Sequence, residues 1–343
     1  MTKLLIKNGT VWDGEKFFYA DVLTENKIIS KIQKKIDDKA DYVYDALGKI
    51  VSPGLIDIHT HFKGLSNNNI GISASMSSIP FGVISAADAS ATLGDTSIFN
   101  HFDTKTFVFV CAEFKNNKLY FENTKKLIKT YGSKVVGIKV YFDQFMSDIS
   151  DISPLKQTVE FAERNNLIVM VHSTNSPSRT SEILSILRCG DILTHTYHGG
   201  QNNIEEDGYK CLLDAKKRGI IIDAGFAGHI HTNFDFLKKA VISGAYPDVI
   251  STDITKLSAY KRGGKYGMTE ENIFRAVTST AARAIGIENE AGYLKEGKCA
   301  DIAVFEYDNE GFSLCDKQGN LLESKQGYRC LLTVVNGEIL YRY

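Results

Sequence analysis

Residues 51–61 read Val51-Ser52-Pro53-Gly54-Leu55-Ile56-Asp57-Ile58-His59-Thr60-His61, an apolar run that ends in two histidines. The run predicts a buried β-strand, and residues two apart on a strand face the same side, so both imidazoles should lie together. Seven more apolar runs follow it along the chain. The eight runs are Leu55–His61, Gly82–Ala89, Phe107–Phe114, Val135–Phe142, Leu167–Ser173, Asp191–Thr196, Ile220–Gly225 and Val249–Asp253.

Helical patterns lie between most of these runs, among them Pro154–Asn165, Ser178–Cys189, Ile204–Arg218 and Asn233–Ser243. Strands that alternate with helices favour a parallel sheet, because each crossover packs its helix back on the sheet. Eight such units predict an α/β fold with a closed (β/α)8 TIM barrel rather than an open doubly wound sheet. No Gly-x-Gly-x-x-Gly follows an early strand, which argues against a dinucleotide-binding domain.

Both ends of the chain read differently, as short strands separated by turn signals. Asn8-Gly9 and Asp13-Gly14 are predicted turns between the first strands, and Asn336-Gly337 is a predicted turn between the last two. We predict one small β-sandwich-like domain formed by residues 1–51 plus 296–343, with the barrel occupying 52–295. The alternative is that the terminal strands decorate the barrel separately.

The composition excludes several classes of protein. Forty basic residues balance 41 acidic ones, so nothing indicates a nucleic-acid partner or an anionic membrane surface. The six cysteines are scattered without a Cys-x-x-Cys pair, which favours free thiols in a reducing compartment. No stretch approaches the ~20 apolar residues of a membrane span, and the first residues do not resemble a signal peptide. We therefore expect a cytoplasmic protein.

Polar side chains capable of binding metal lie at the ends of four of the predicted strands. These are His59, His61, His172, His195 and Asp253. Barrel enzymes carry their functional side chains at the carboxyl ends of the strands, so the sequence predicts a metal site there. Each histidine taken alone could instead be a hydrogen-bonded core residue. Asp253 is also the candidate general base and acid, since a buried carboxylate needs a cation or hydrogen-bond donors.

Lys139 lies inside the apolar run Val135–Phe142, where an unpaired ammonium group would be costly. One interpretation is a lysine paired with a carboxylate at the rim of the barrel. The other is a desolvated, nucleophilic lysine that captures carbon dioxide, giving a carbamate that can bridge two cations. The four neighbouring histidines favour the carbamate.

Several further residues are candidates for the substrate or the surface. His198 could polarise a substrate oxygen, or it could be an exposed loop histidine. His229 and His231 form a second His-x-His, which we expect to face solvent or substrate rather than a metal, and His101 should lie on the surface. Further candidate substrate contacts are Tyr141, Arg179 and Arg262. The arginines, together with Lys265, could bind a substrate carboxylate or be ordinary solvated charges.

Taken together, these residues resemble the amidohydrolase superfamily over nearly the whole chain. Residues 51–61 resemble its first-strand motif, and residues 291–302 resemble the return into its small β domain. Residues 190–199 and 247–253 are similar to the amidohydrolase/deacetylase branch related to dihydroorotases. No position that matches a family ligand departs from the pattern.

The resemblance implies a metal-dependent hydrolase acting on a small-molecule substrate. It implies two divalent cations, expected to be Zn²⁺, with carboxylated Lys139 bridging them. His59 and His61 would hold one cation together with Asp253, and His172 and His195 would hold the other. The expected reaction is deacetylation of a small N-acyl amino acid or O-acyl hydroxy acid. Relatives commonly form homo-oligomers, which we expect here too.

Four alternatives to that reaction are possible from the sequence. A cyclic-amide ring-opening hydrolase of the dihydroorotase or hydantoinase type shares every ligand, so only substrate tests separate it. A purine or pyrimidine deaminase usually works with one metal and no bridging lysine, so Lys139 argues against it. A non-catalytic scaffold is disfavoured by the intact ligand set. A plain sugar- or cofactor-binding barrel would not need four histidines and Asp253 together.

Overall fold

A computed structural model describes residues 2–66, 70–92, 94–227, 230–255 and 268–343. The fold is mixed α/β, with a seven-stranded parallel sheet in the middle of the chain. An eight-stranded sheet is formed from both ends of the chain. The described helices include none long and apolar enough to cross a membrane.

The N-terminal strands are β1 Lys3–Trp12, β2 Phe17–Glu25, β3 Ile28–Gln33, β4 Tyr42–Asp45 and β5 Ile50–Pro53. The predicted turn at Asn8-Gly9 is wrong, because β1 runs through it and pairs with β2 on both sides. The register shifts between Ile6 and Gly9, and Asn8 adopts a φ of 62°. The backbone N–H of Asn8 donates to Asp21 Oδ1 at 2.8 Å. The Asn-Gly pair therefore forms a β-bulge rather than a hairpin turn.

The central strands are β6 Leu55–Thr60, β7 Val83–Ala91, β8 Lys105–Cys111, β9 Phe114–Lys115, β10 Lys118–Leu119, β11 Val135–Tyr141, β12 Ile168–His172, β13 Ile192–Thr194 and β14 Ile221–Ile222. Strands β9 and β10 form a separate hairpin. The other seven make the parallel sheet in the order β14-β13-β12-β11-β8-β7-β6. Seven of the eight predicted runs are thus confirmed as neighbouring parallel strands.

The eighth run, Val249–Asp253, is not a regular strand. Parallel bridges join Val249 to Asp223 and Ile254 to Thr60, so this segment contacts both edges of the curled sheet. Asp253 has a φ of 46°, which interrupts the extended backbone that a regular strand requires.

The helices are α1 Ala74–Ser78, α2 Phe121–Tyr131, α3 Ser153–Arg164, α4 Thr180–Ile186, α5 Ile204–Asp207, α6 Lys210–Lys217, α7 Phe234–Ile242, α8 Glu270–Val277 and α9 Ser279–Ala284. Helices α3 and α7 match the predicted spans within a residue or two. The single helix predicted over Ile204–Arg218 is wrong, because Gly208 follows α5 with a φ of 76°. That left-handed conformation suits glycine and ends the helix, so the segment splits into α5 and α6.

The C-terminal strands are β15 Ile302–Asp308, β16 Phe312–Cys315, β17 Leu321–Ser324, β18 Gly327–Val335 and β19 Glu338–Arg342. The terminal sheet has the order β19-β18-β15-β5-β1-β2-β3, and β4 pairs with β1. Strands from both termini therefore share one sheet. Its sandwich-like form and the domain limits 1–51 plus 296–343 and 52–295 stay predictions. The β16–β17 hairpin was not predicted.

Candidate active site

The predicted ligands lie together where the parallel strands end. His59 is the penultimate residue of β6, and Lys139 lies within β11. His172 ends β12, and His195 follows β13 directly. All are at most 2% exposed. Parallel pairing aligns Lys139 with Met170 and His172 with Thr194, which carries the polar side chains toward one end of the sheet.

His59, His61 and Asp253 form the first donor group. Their ligand atoms all lie within 4.8 Å of one another. Asp253 Oδ1 is 2.8 Å from His61 Nε2 and 3.3 Å from His59 Nε2. Two imidazoles and a carboxylate are donors that zinc and similar divalent ions use in catalytic sites.

His172, His195 and His231 form the second donor group, with the same 4.8 Å limit on their separations. The ring centroid of His231 is 4.2 Å from that of His195 and 5.1 Å from that of His172. We expected His231 to face solvent or substrate. It lies instead against two predicted metal ligands, with 18% of its side chain exposed.

Lys139 is completely buried beside these groups. Its Nζ lies 2.9 Å from His59 Nε2 and 3.7 Å from Met170 Sδ. Burial lowers the pKa of Lys139 to about 8, although the carboxylates of Asp253 and Asp223 act in the opposite direction. About a tenth of this amine is therefore uncharged at pH 7, far more than for an ordinary lysine, and an uncharged amine is nucleophilic.

Hydrogen bonds made by Nδ1 orient two of the imidazoles and leave their Nε2 atoms available to bind a metal. His195 Nδ1 lies 2.6 Å from the carbonyl oxygen of Gly225, which can only accept, so Nδ1 carries the proton. Thr194 Oγ1 donates to Asp223 Oδ2 at 2.7 Å, so it accepts from His59 Nδ1 at 3.0 Å. In both rings Nε2 then presents a lone pair to the site, as metal-ligating histidines do.

His61 is held by a buried polar cluster. Its Nδ1 lies 2.9 Å from Ser90 Oγ and 3.1 Å from Ser66 Oγ. The hydroxyl of Ser66 donates to Asp88, 2.9 Å away. The Asp88 carboxylate also accepts from the backbone N–H of Phe62 at 2.7 Å. This cluster fixes the orientation of the ring and turns Nε2 toward Asp253.

The backbone at two ligand positions is left-handed. His195 has a φ of 57° and Asp253 has a φ of 46°. Non-glycine residues seldom adopt this conformation, and such strain is concentrated at functional sites. Gly225 (φ 50°) lies so close to His195 that an added Cβ would come within 2.8 Å of His195 Nδ1. Glycine is therefore required where the chain passes the second donor group.

Burial keeps the site histidines neutral. It lowers the pKa of His59 to about 4 and that of His231 to about 3, and it brings the pKa of His195 well below its ordinary value. Burial alone would raise the pKa of Asp253, but the His59 and His61 imidazoles outweigh it and hold that pKa below its usual range. Near pH 7 the rings of His59, His195 and His231 are thus neutral, and the carboxylate of Asp253 is ionised.

The donor chemistry fits cations. His59 Nε2 lies 3.3 Å from Asp253 Oδ1 and 2.9 Å from Lys139 Nζ, so an imidazole nitrogen and a carboxylate oxygen converge beside the lysine. His172 Nε2 is buried and has no hydrogen-bond partner within the described ranges. A divalent cation in each group would meet nitrogen and oxygen donors of the kind it prefers. The residues present could therefore hold metal.

Similarity to known proteins agrees with these metal-binding donor groups. The amidohydrolase family matches residues 50–340. The chain belongs to the amidohydrolase family. It is therefore a hydrolase, of the kind that acts on carbon–nitrogen bonds. A relative from Enterococcus faecalis named deacetylase is 27% identical over 98% of each chain. A dihydroorotase from Aquifex aeolicus is 23% identical over the full length of both chains.

Solved structures share the fold. An adenine deaminase superposes with a TM-score of 0.86 at 24% identity, and a dihydroorotase with 0.86 at 22% identity. Each comparison covers 100% of both chains. At these identities the superpositions show a common fold.

The predicted substrate contacts of this amidohydrolase have different surroundings. The Tyr141 ring is 5.5 Å from the His172 ring. His198 is fully buried rather than exposed, its Nδ1 accepts from the Gly200 N–H at 3.1 Å, and its Nε2 has no hydrogen-bond partner in the described part of the chain. Arg179 has 63% of its side chain exposed and lies 3.7 Å from Asp207. Arg262, Lys265 and His229 fall outside the described residues.

Sequence reasoning missed the residues that support the ligands. Thr194 and Asp223 orient His59, and Asp223 also accepts from Ser251 Oγ at 2.7 Å. Asp88 and Ser90 orient His61. A signal was present, because Asp88 and Asp223 are carboxylates inside runs predicted to be buried strands, and buried carboxylates need partners. His231 had a weaker signal, the second His-x-His with His229, but it does not end an apolar run.

Proposed function

We propose that this amidohydrolase deacetylates a small N-acyl amino acid or O-acyl hydroxy acid. Its site would use two divalent cations, Zn²⁺ foremost, and a Lys139 carboxylated on Nζ. The observation that carries the proposal is the pair of donor groups together with the completely buried Lys139, whose Nζ lies 2.9 Å from His59 Nε2. The proposal includes the closed (β/α)8 barrel, a homo-oligomeric assembly and a cytoplasmic location.

The deacetylase assignment is supported by named relatives. The Enterococcus faecalis deacetylase matches 98% of each chain. A deacetylase from Agrobacterium fabrum is 24% identical over 86% of this chain and 80% of its own length. Deaminases are also among the relatives, such as the 5-methylthioadenosine/S-adenosylhomocysteine deaminase of Thermococcus onnurineus at 23% identity. Lys139 is the residue that argues against deamination.

The residues have distinct roles in this proposal. His59, His61 and Asp253 would hold one cation, and His172 and His195 would hold the other. Bound there, the cations would polarise the scissile carbonyl and make a water molecule more acidic. The Lys139 amine adds to carbon dioxide and releases one proton, and the carbamate oxygens then lie between the two groups. Asp253 accepts the proton of the attacking water and returns it to the leaving nitrogen or oxygen.

A second candidate is hydrolytic opening of a cyclic amide. The full-length similarity to the Aquifex aeolicus dihydroorotase favours it. The same ligands serve both reactions, because each adds water to an acyl carbon and releases the nitrogen or oxygen bonded to it. The difference lies in the substrate contacts, where His198, Tyr141, Arg179 and Arg262 are the candidates.

The decisive experiment is acetate release from a panel of N-acetyl amino acids and O-acetyl hydroxy acids. The protein is supplied with Zn²⁺ and bicarbonate, and a chelator-treated sample serves as control. Chelator-sensitive acetate release supports the deacetylase. Zinc-loaded protein that releases no acetate but opens dihydroorotate or hydantoin rings would transfer the assignment to the second candidate, and ammonia release from purines would transfer it to a deaminase.

A further inference from the structure

His231 completes a set of three imidazoles, the second donor group. It follows Ile230 in the segment after β14, and its partners His172 and His195 come from the ends of β12 and β13. Nothing in the motif at residues 51–61 or in the other strand ends requires a histidine at this position. The geometry of this residue therefore needs its own explanation.

The ligand atoms of the three imidazoles converge. His195 Nε2 and His231 Nε2 lie 3.8 and 3.9 Å from the same oxygen, Asp253 Oδ2. These separations are too long for hydrogen bonds. The ligand atoms of the three rings lie within 4.8 Å of one another. Two donors on one zinc ion can be at most about 4.2 Å apart with bonds of 2.0–2.1 Å, so a bound ion would draw the rings slightly together.

A hydrogen bond can orient His231 for this role. Its Nδ1 lies 3.2 Å from Thr174 Oγ1, and this hydroxyl can accept the Nδ1 proton. Nε2 is then left as a lone pair directed at the same region as His195 Nε2. A histidine that merely faced solvent would not need to pack its ring 4.2 Å from that of His195.

We propose that His231 is a third histidine ligand of the second cation, beside His172 and His195. The inference rests on the proposed two-cation site and extends it. Each cation then has three ligands from the chain without Lys139: two imidazoles and a carboxylate for the first, and three imidazoles for the second. Lys139 joins two sites that are already formed, so the second cation should survive its removal at reduced affinity.

The test measures metal content and affinity rather than activity. Apoprotein is titrated with Zn²⁺ against a competing chelator, and bound metal is counted per chain after gel filtration. His231→Ala should weaken the second binding step by roughly 100-fold or more and leave the first step unchanged. Thr174→Val, which removes only the hydrogen bond to Nδ1, should weaken it by about 10-fold, as for other residues that orient a metal ligand.

His101→Ala is the matched control, because it removes a histidine that is exposed on the surface. It should bind both ions as the wild type does. Should His231→Ala fold poorly, as judged by circular dichroism, His231→Asn replaces it. Lys139→Ala should retain a weakened second step, and Lys139→Ala combined with His231→Ala should abolish it.

The inference would be overturned if His231→Ala bound both ions with wild-type affinity. It would also be overturned if the only change in His231→Ala were a higher KM for the substrate. Those results leave the proposed function intact, because two cations still bind. If the wild type binds one ion, and His61→Ala but not His231→Ala abolishes it, the inference is overturned as well. Two bound ions that are sensitive to His231→Ala, in a protein that hydrolyses no acyl substrate, would instead support the inference and refute the proposed function.

Discussion

The two donor groups differ in how they are held. In the first, His59, His61 and Asp253 are all buried, and His59 and Asp253 are joined by a backbone hydrogen bond from Asp253 N to His59 O of 2.8 Å. In the second, His172 and His195 are equally buried, but His231 comes from a loop and keeps 18% of its side chain exposed. The first group is joined directly to the paired backbone at the edge of the sheet, whereas one ligand of the second lies outside the sheet, in the segment between β14 and α7.

This difference suggests a division of labour. A rigid, buried group suits the proton transfers of Asp253, since their rate depends on a fixed geometry. A group with one partly exposed ligand suits the side where substrate enters and product leaves. Substitutions in each donor group can test this difference between them.

The largest effect is expected in the first group. Asp253→Asn keeps the shape of the side chain but removes the base, so kcat should fall by roughly 10²–10⁴-fold while most of the metal remains bound. Steady-state kinetics and metal analysis on the same preparations check this. Asp37→Asn, at an aspartate that is 73% exposed, is the control and should behave as the wild type. An Asp253→Asn enzyme with wild-type kcat would remove Asp253 from the chemistry.

Gly225→Ala should damage both donor groups, the second more than the first. The new Cβ would lie 2.8 Å from His195 Nδ1, displacing the ring from the Gly225 carbonyl, and it would also press on Thr194 Oγ1, which orients His59. We expect about 10–100-fold weaker binding of the second cation, measured by zinc titration, and about 10-fold weaker binding in the first step. Gly132→Ala is a matched control, because Gly132 has a φ of +54° and an added Cβ there would meet nothing within 4 Å. Equal losses in the two variants would mean that backbone strain alone is responsible.

The first group was predictable because its residues end apolar runs. A run of buried residues that closes with His59 and His61 specifies both the strand and the direction of its functional end. The same logic located Lys139, His172, His195 and Asp253. It could not locate His231, because a loop residue has no periodic pattern, and its position depends on how the chain returns between β14 and α7.

The fold errors have the same origin. Asn8-Gly9 has the composition of a hairpin turn, yet long-range pairing of β1 with β2 makes it a bulge. Gly208 splits one amphipathic pattern into α5 and α6, although the hydrophobic periodicity continues across it. Local sequence gives the preference of each segment, and tertiary pairing selects among the outcomes that the preference allows.

A smaller effect should separate orientation from coordination in the first group. Thr194→Val removes the hydroxyl that accepts from His59 Nδ1 and donates to Asp223. The first binding step should weaken by about 10-fold, since the ligand loses its orienting partner. Thr158→Val is the control, because the Thr158 hydroxyl is buried but donates only to the Pro154 carbonyl in α3. A first binding step that is unchanged in Thr194→Val would show that His59 needs no such support.

The smallest effect concerns His198, which is buried as deeply as the first group yet is absent from both donor groups. Burial lowers the pKa of His198 to about 3, from an ordinary value of 6.5. The unfolded chain therefore binds a proton between pH 6.5 and 3 that the folded protein does not, so this residue lowers the stability as the pH falls through that window. At pH 5.5 the loss relative to pH 7.5 is about 1 kcal/mol. His198→Asn keeps an acceptor for the Gly200 N–H and removes the titration, so its free energy of unfolding in urea, measured on metal-free protein, should fall less between these two pH values. If the free energy of unfolding has the same pH dependence in the two proteins, His198 can take up its proton without unfolding. Burial alone would then not set the acid sensitivity of the region around His198.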